Sequence, residues 1–201
     1  MTRRSRVLFA FGAVLLILGA VGAGLYVQSW LEPSALGGRV SLGGPFTLTR
    51  AGGVTVTEST YRGKWLLVYF GYTYCPDACP TALNAIAEAM VKLGPAAANV
   101  QPLFITVDPA RDTPAVVGEY VKAFDPRIVG LTGTEGQIAA VAKEYQVYYK
   151  RRDTDGGPYL MDHTSLIYVV DPAGKLVRFF GGSSSGERIA QHLLELMNQT
   201  S

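Results

Sequence analysis

Residues 7–27 form one unbroken apolar run without a charged side chain. A helix rises about 1.5 Å per residue, so a run of this length spans the hydrocarbon core of a bilayer. Arg3, Arg4 and Arg6 precede it. Lysine and arginine resist translocation. The pattern therefore predicts a cytoplasmic stub at 1–6, a single transmembrane anchor at 7–27, and the rest of the chain outside the cytoplasm. Val21 and Ala23 would suit a signal-peptide cleavage site. The run is longer than the usual core of about 7–15 residues in such peptides, which favours a retained anchor. The Arg3-Arg4 pair is weak support for twin-arginine export. No long Arg- and Ser-rich transit segment precedes the run. That points to the inner membrane of a bacterium, with the C-terminal domain in the periplasm. Residues 28–42 hold Pro33 and the Gly37-Gly38 pair and lack periodicity, so they read as a tether.

Beyond the tether the pattern alternates between strand and helix. Residues 46–49 and 54–57 alternate apolar and polar around Gly52-Gly53, which predicts a hairpin. Residues 65–70 are continuously apolar, as in a buried central strand. A helix is expected over 81–93, with Leu83, Ile86, Ala87 and Met90 on one face. Residues 103–107 form the next strand. Thr113-Pro114 then opens a helix with a threonine N-cap and proline in its first position. A short strand at 128–131 precedes a helix capped by Thr134 and Gln137 and running to about Tyr145. Residues 147–149 suggest a short strand, and 150–159 a mobile polar loop. Strands at 164–170 and 176–180 flank the turn Asp171-Pro172-Ala173-Gly174. Ser184 and Glu187 propose a capping box for a last helix to about Met197.

Short alternating strand–helix units imply parallel strands with right-handed crossovers. The closing strand pair and helix add antiparallel strands. The expectation is one α/β, thioredoxin-like domain over 43–201, with an N-terminal hairpin, preceded by a single transmembrane helix.

Composition changes this picture little. Lys and Arg number 18 against 16 Asp and Glu. Three of the basic residues precede the apolar run, so the rest carries 15 against 16. A near-neutral domain has no electrostatic footprint for nucleic acid.

The chain has two cysteines, Cys75 and Cys79, in Cys75-Pro76-Asp77-Ala78-Cys79-Pro80, between the buried strand and a helix. A structural disulfide is the plain alternative, but the strand-to-helix position and a proline after each cysteine favour a working pair. The helix N-terminus favours thiolate. Residues four apart on a helix differ by about 40° in direction, so both sulfurs can converge. Two soft sulfurs suit copper(I) or a disulfide.

Of the two histidines, His163 begins the strand at 164–170. If that strand runs antiparallel to 65–70, His163 approaches the cysteine loop from across the sheet. Thioredoxins place a proline there. Two thiolates and an imidazole can hold copper(I) or copper(II), and zinc accepts the same donors. His192 reads as an ordinary helix residue.

The segments Tyr61-Arg62-Gly63-Lys64-Trp65 and 69–80 resemble blocks of the Sco/SenC family of copper proteins. So do 106–114, 130–133 and Asp162-His163-Thr164, all in family order. The resemblance implies that Cys75, Cys79 and His163 are copper ligands, for Cu(I) and Cu(II). It implies a metallochaperone that helps assemble the dinuclear copper centre of cytochrome c oxidase subunit II, with other periplasmic copper chaperones as further partners. The alternative is a thiol–disulfide oxidoreductase that reduces the cysteines of that centre, with Cys75 and Cys79 as its redox pair. A peroxidase reading is weaker, because Thr73 lies two residues before Cys75 rather than three.

Several neighbours have ordinary readings. Asp108, Arg111 and Asp112 form a turn that caps the Thr113 helix, with shaping of the site as a second role. Met90 belongs to the core, and Met161 packs near the site. Tyr72 and Tyr74 wall the cysteine loop. Asp162 points away from His163, since adjacent strand residues face opposite ways.

Overall fold

The computed structural model describes residues 43–199. The anchor and tether expected at 7–42 lie outside these residues. Among the described residues no helix is long and apolar enough to cross a membrane.

β1 (Thr47–Arg50) and β2 (Val54–Thr57) form the expected hairpin. β3 (Trp65–Gly71) runs parallel to β4 (Val100–Thr106), and β4 runs parallel to β5 (Val129–Thr132). β8 (Leu166–Val170) lies antiparallel to β3, and β9 (Leu176–Gly181) antiparallel to β8. The sheet has seven strands in the order β2-β1-β5-β4-β3-β8-β9. All seven residues of β3 are buried, as the continuous apolar run predicts for a strand covered on both faces.

Among the described residues there are four α-helices, in chain order α1 (Ala78–Lys92), α2 (Pro114–Lys122), α3 (Glu135–Glu144) and α4 (Gly186–Gln199). α1 buries Leu83, Ile86 and Met90 and packs against α4. Alternate β3 residues serve opposite layers. The Phe70 ring meets Tyr145, just past α3, at 5.3 Å, whereas Tyr69 meets Phe104 of β4 at 6.4 Å. Thr113 caps α2 by accepting from Val116 N–H, and the Thr134–Gln137 box closes α3 as expected.

Three boundaries differ from the sequence expectation. α1 starts at Ala78 rather than Thr81. Pro80 falls in its first turn, where the missing N–H has no helical partner to lose. β4 starts at Val100 and contains Pro102, which the strand tolerates because pairing with β5 begins only at Leu103. α4 begins at Gly186, with Ser185 rather than Ser184 accepting from Arg188 N–H.

The largest correction concerns the histidine segment. The strand expected at 147–149 is β6 (Tyr149–Arg152), which occupies the start of the presumed loop. It pairs antiparallel with β7 (Leu160–His163) in a separate two-stranded sheet. His163 therefore ends β7 instead of opening β8. Lys150, Arg151 and Arg152 are exposed, so β6 has no apolar alternation to reveal it.

Candidate metal centre

The site lies where the C-terminal end of β3 meets the N-terminus of α1 and the end of β7. Asp77 occupies the N-cap position of α1, but its side chain makes no cap hydrogen bond. The sulfur of Cys75 takes part of that role by accepting from the Cys79 N–H at 3.3 Å. Cys75 is half-buried and Cys79 buried, and both are free thiols. Cys79 needs a glycine opposite it. A Cβ on Gly71 would come within 2.6 Å of the Cys79 sulfur and 2.9 Å of Phe104.

The His163 Nε2 lies 3.5 Å from the Cys79 Sγ. Its Nδ1 is 3.1 Å from the Thr164 carbonyl oxygen. A carbonyl only accepts, so Nδ1 carries the proton and Nε2 turns a lone pair toward the sulfurs. Tyr72 and Tyr69 fix the ring by edge-on contacts at 5.8 Å and 6.2 Å. The donor atoms of Cys75, Cys79 and His163 all lie within 4.8 Å of one another. An ion held at about 2.0–2.3 Å from nitrogen and sulfur needs donors a few ångströms apart. The three residues could therefore hold one metal ion with little movement.

The two thiols are electrostatically unequal. Cys75 is lowered to about 4, chiefly because Cys79 donates a hydrogen bond to its sulfur; burial opposes this, while His163 and backbone N–H groups support it. Cys79 is pushed up, first by its bond to Cys75 and then by burial. Cys75 stabilises the reduced, metal-free fold fully above about pH 8.5, the ordinary thiol value, and this contribution is lost as pH falls toward about 4. In that form the first alkylation by iodoacetamide is expected at Cys75, at a rate almost flat between about pH 6 and 8. A rate rising about tenfold per pH unit over this range, or first labelling of Cys79, would contradict the assignment.

Of the remaining candidates, Met90 is in the core and Met161 packs against its edge. Tyr72 is buried against His163, whereas Tyr74 is exposed on the rim. Asp162 pairs with Arg152 at the surface. His192, on α4, contacts Glu195 of the same helix and Phe180 of β9.

The turn at 108–112 does more than the capping expected of it. Asp112 is wholly buried and accepts from Thr73 N–H at 3.0 Å, Thr73 Oγ at 2.5 Å and Thr106 Oγ at 2.5 Å. It thereby ties the cysteine loop to β4. The hydroxyl of Thr73, which a peroxidase would aim at its reactive thiol, donates to Asp112. No sequence spacing signals this link, since Thr73 and Asp112 are far apart along the chain.

Comparison with known proteins places this site in a family. The SCO1/SenC family model matches residues 34–198. Arabidopsis thaliana SCO1 homolog 1, a mitochondrial protein, is 40% identical over 168 residues, covering 83% of this chain and 50% of that protein. The chain spans about half the length of the mitochondrial relatives it matches. Arabidopsis thaliana ScoI with copper bound superposes with a TM-score of 0.75 at 40% identity, covering 79% of this chain and 99% of that one. Bradyrhizobium japonicum ScoI with copper bound gives 0.71 at 45%, covering 77% and 98%. With the thioredoxin-like fold in place and the family model spanning nearly all of the described residues, the chain belongs to the SCO1/SenC family.

Proposed function

We propose that this protein binds one copper ion through Cys75 Sγ, Cys79 Sγ and His163 Nε2 and delivers it to the dinuclear copper centre of cytochrome c oxidase subunit II. The observation that carries this is the convergence of two soft sulfurs and one correctly oriented imidazole nitrogen at a partly open edge of the domain. Thiolates suit copper(I), and the imidazole adds the nitrogen that copper(II) requires. The copper-bound relatives support copper over zinc. Copper is cargo here, received from other periplasmic copper chaperones and passed on. Residues 7–27 anchor the chain in the inner membrane of a bacterium, with residues 1–6 in the cytoplasm and the domain from 43 onward in the periplasm.

A second reading rests on the inequality of the thiols. The Cys75 thiolate can attack a partner disulfide, forming a mixed disulfide and releasing one partner thiolate. Cys79 then loses its proton, attacks the Cys75 sulfur and expels the second partner thiolate. The partner gains two electrons, and the chain is left with a Cys75–Cys79 disulfide that an external thiol reductant must reopen.

A deletion strain separates the two. Delivery predicts that added copper restores oxidase assembly and a small thiol reductant does not. Rescue by the reductant alone would overturn delivery in favour of reduction.

A further inference from the structure

The hairpin carrying His163 shares no backbone pairing with the seven-stranded sheet that carries the cysteines. Its hold on the cysteine loop passes through side chains: the His163 ring meets Tyr72 and the Cys79 sulfur, and Arg111 bonds or stacks on both segments. Its Nε donates to Asp108 Oδ2 at 2.5 Å, and its Nη1 donates to the Tyr159 carbonyl at 2.9 Å. The Tyr159 hydroxyl donates to the other Asp108 oxygen at 2.9 Å, which closes a ring of three residues.

The guanidinium also stacks. Its central carbon lies 3.6 Å from the Tyr159 ring centroid and 4.7 Å from that of Tyr74. Arg151 of β6 lies 3.9 Å from the same Tyr159 centroid. Two guanidinium groups that close to one centroid must occupy opposite faces, so the Tyr159 ring is clamped between them. Tyr74 precedes Cys75 directly, and Tyr159 directly precedes β7. Asp108 is almost fully buried, which keeps its ion pair with Arg111 largely away from water. Arginine's planar fork can bond and stack at once; a lysine ammonium cannot.

We propose that Arg111, braced by Asp108 and stacked on Tyr159, is a positioning residue that holds the His163 hairpin over the two cysteines. It governs how well the site takes a metal ion that needs the imidazole, and leaves the chemistry of the two sulfurs alone. This rests on the ligand set proposed above.

The test uses the full chain with Arg111→Lys and Arg111→Met. In reduced, metal-free protein, hydrogen exchange of the Leu160–His163 amides is expected to quicken in both variants, while β3 and β4 keep their protection. Titrated with copper(II), both should bind about 10–100-fold more weakly, the usual effect of losing a residue that orients a metal ligand, with a shifted sulfur-to-copper absorption band. Alkylation of Cys75 should be unchanged. Parent-like exchange and copper(II) affinity in Arg111→Lys would overturn the proposal, because charge without the planar fork would then suffice. Should an Arg111 variant fail to fold, Tyr159→Ala removes the half-exposed stacking partner instead. It should show the same faster exchange and weaker copper(II) binding, and parent-like values there overturn the latch equally. If the parent chain itself binds no copper(II), the ligand assignment falls, while the exchange comparison still decides the latch.

Discussion

His163→Ala is expected to leave a working dithiol and abolish most copper(II) binding. With the imidazole in place, copper(I) has three donors and copper(II) has a nitrogen ligand. Without it only the Cys75 and Cys79 sulfurs remain. Copper(I) tolerates a two-coordinate dithiolate, whereas copper(II) prefers four or more donors that include nitrogen or oxygen. The affinity for copper(II) should fall by more than about a hundredfold, beyond what loss of an outer-sphere partner usually costs. The fold should survive, because His163 ends the small hairpin and lies outside the main core. Thiol cycling should survive as well. The chief causes that set Cys75 and Cys79 apart are their mutual hydrogen bond and burial, with His163 a lesser one. Copper(II) titration followed by charge-transfer absorption, with thiol counting in parallel, reads both halves. An unchanged affinity and spectrum would remove His163 from the ligand set. A variant that keeps its thiols but fails to support oxidase assembly would favour copper delivery over thiol reduction.

Asp112→Ala should be the most damaging single change near the site, and Asp112→Asn should be mild. The alanine variant strands three donors, the part-buried Thr73 N–H and Thr73 Oγ and the buried Thr106 Oγ. Threonine hydroxyls can partly reorient, so the loss is set at about 3 kcal/mol rather than the full sum of three bonds to a charged group. For a domain of this size that corresponds to a fall in Tm of roughly 6–12 °C. Asparagine can keep every contact. Its oxygen accepts from Thr73 N–H and Thr106, and its NH2 donates to the Thr73 hydroxyl, which accepts as readily as it donates.

The pH dependence of Asp112 has a definite sign. Burial raises the Asp112 carboxyl, outweighing the hydrogen bonds from Thr106 and Thr73 that lower it. A raised carboxyl favours folding most below its unfolded value of about 3.9, and that advantage is lost as pH rises through the folded value. Asp112→Asn should therefore gain stability relative to the parent as pH rises from about 4 toward neutrality. Denaturant unfolding at several pH values checks this. A relative stability that moves the other way would show that the hydrogen bonds, not desolvation, dominate.

What could be read along the chain was local. The β3 run, the Thr113-Pro114 helix start, the Thr134–Gln137 capping box and the β1–β2 hairpin are each specified within a few residues, by apolar period, by a cap or by a turn. The cysteine pair was legible for the same reason: its sulfurs and its helix N-terminus lie within one turn of each other. The apolar run at 7–27 with its leading arginines carries the expectation of an anchor in the sequence alone. His163 could be placed near the sulfurs because antiparallel pairing of β8 with β3 brings its segment to the right sheet edge. Its seat on β7 could not, because β6 is polar and exposed and pairs only with β7, so no alternation marks the hairpin. The roles of Asp112, Arg111 and Tyr159 were equally hidden. Asp112 holds Thr73, and Arg111 joins Asp108 to Tyr159, across separations that no short-range pattern encodes. A motif can supply donor atoms, but the distances between donors on different segments are set by packing and buried hydrogen bonds that exist only once the chain has folded.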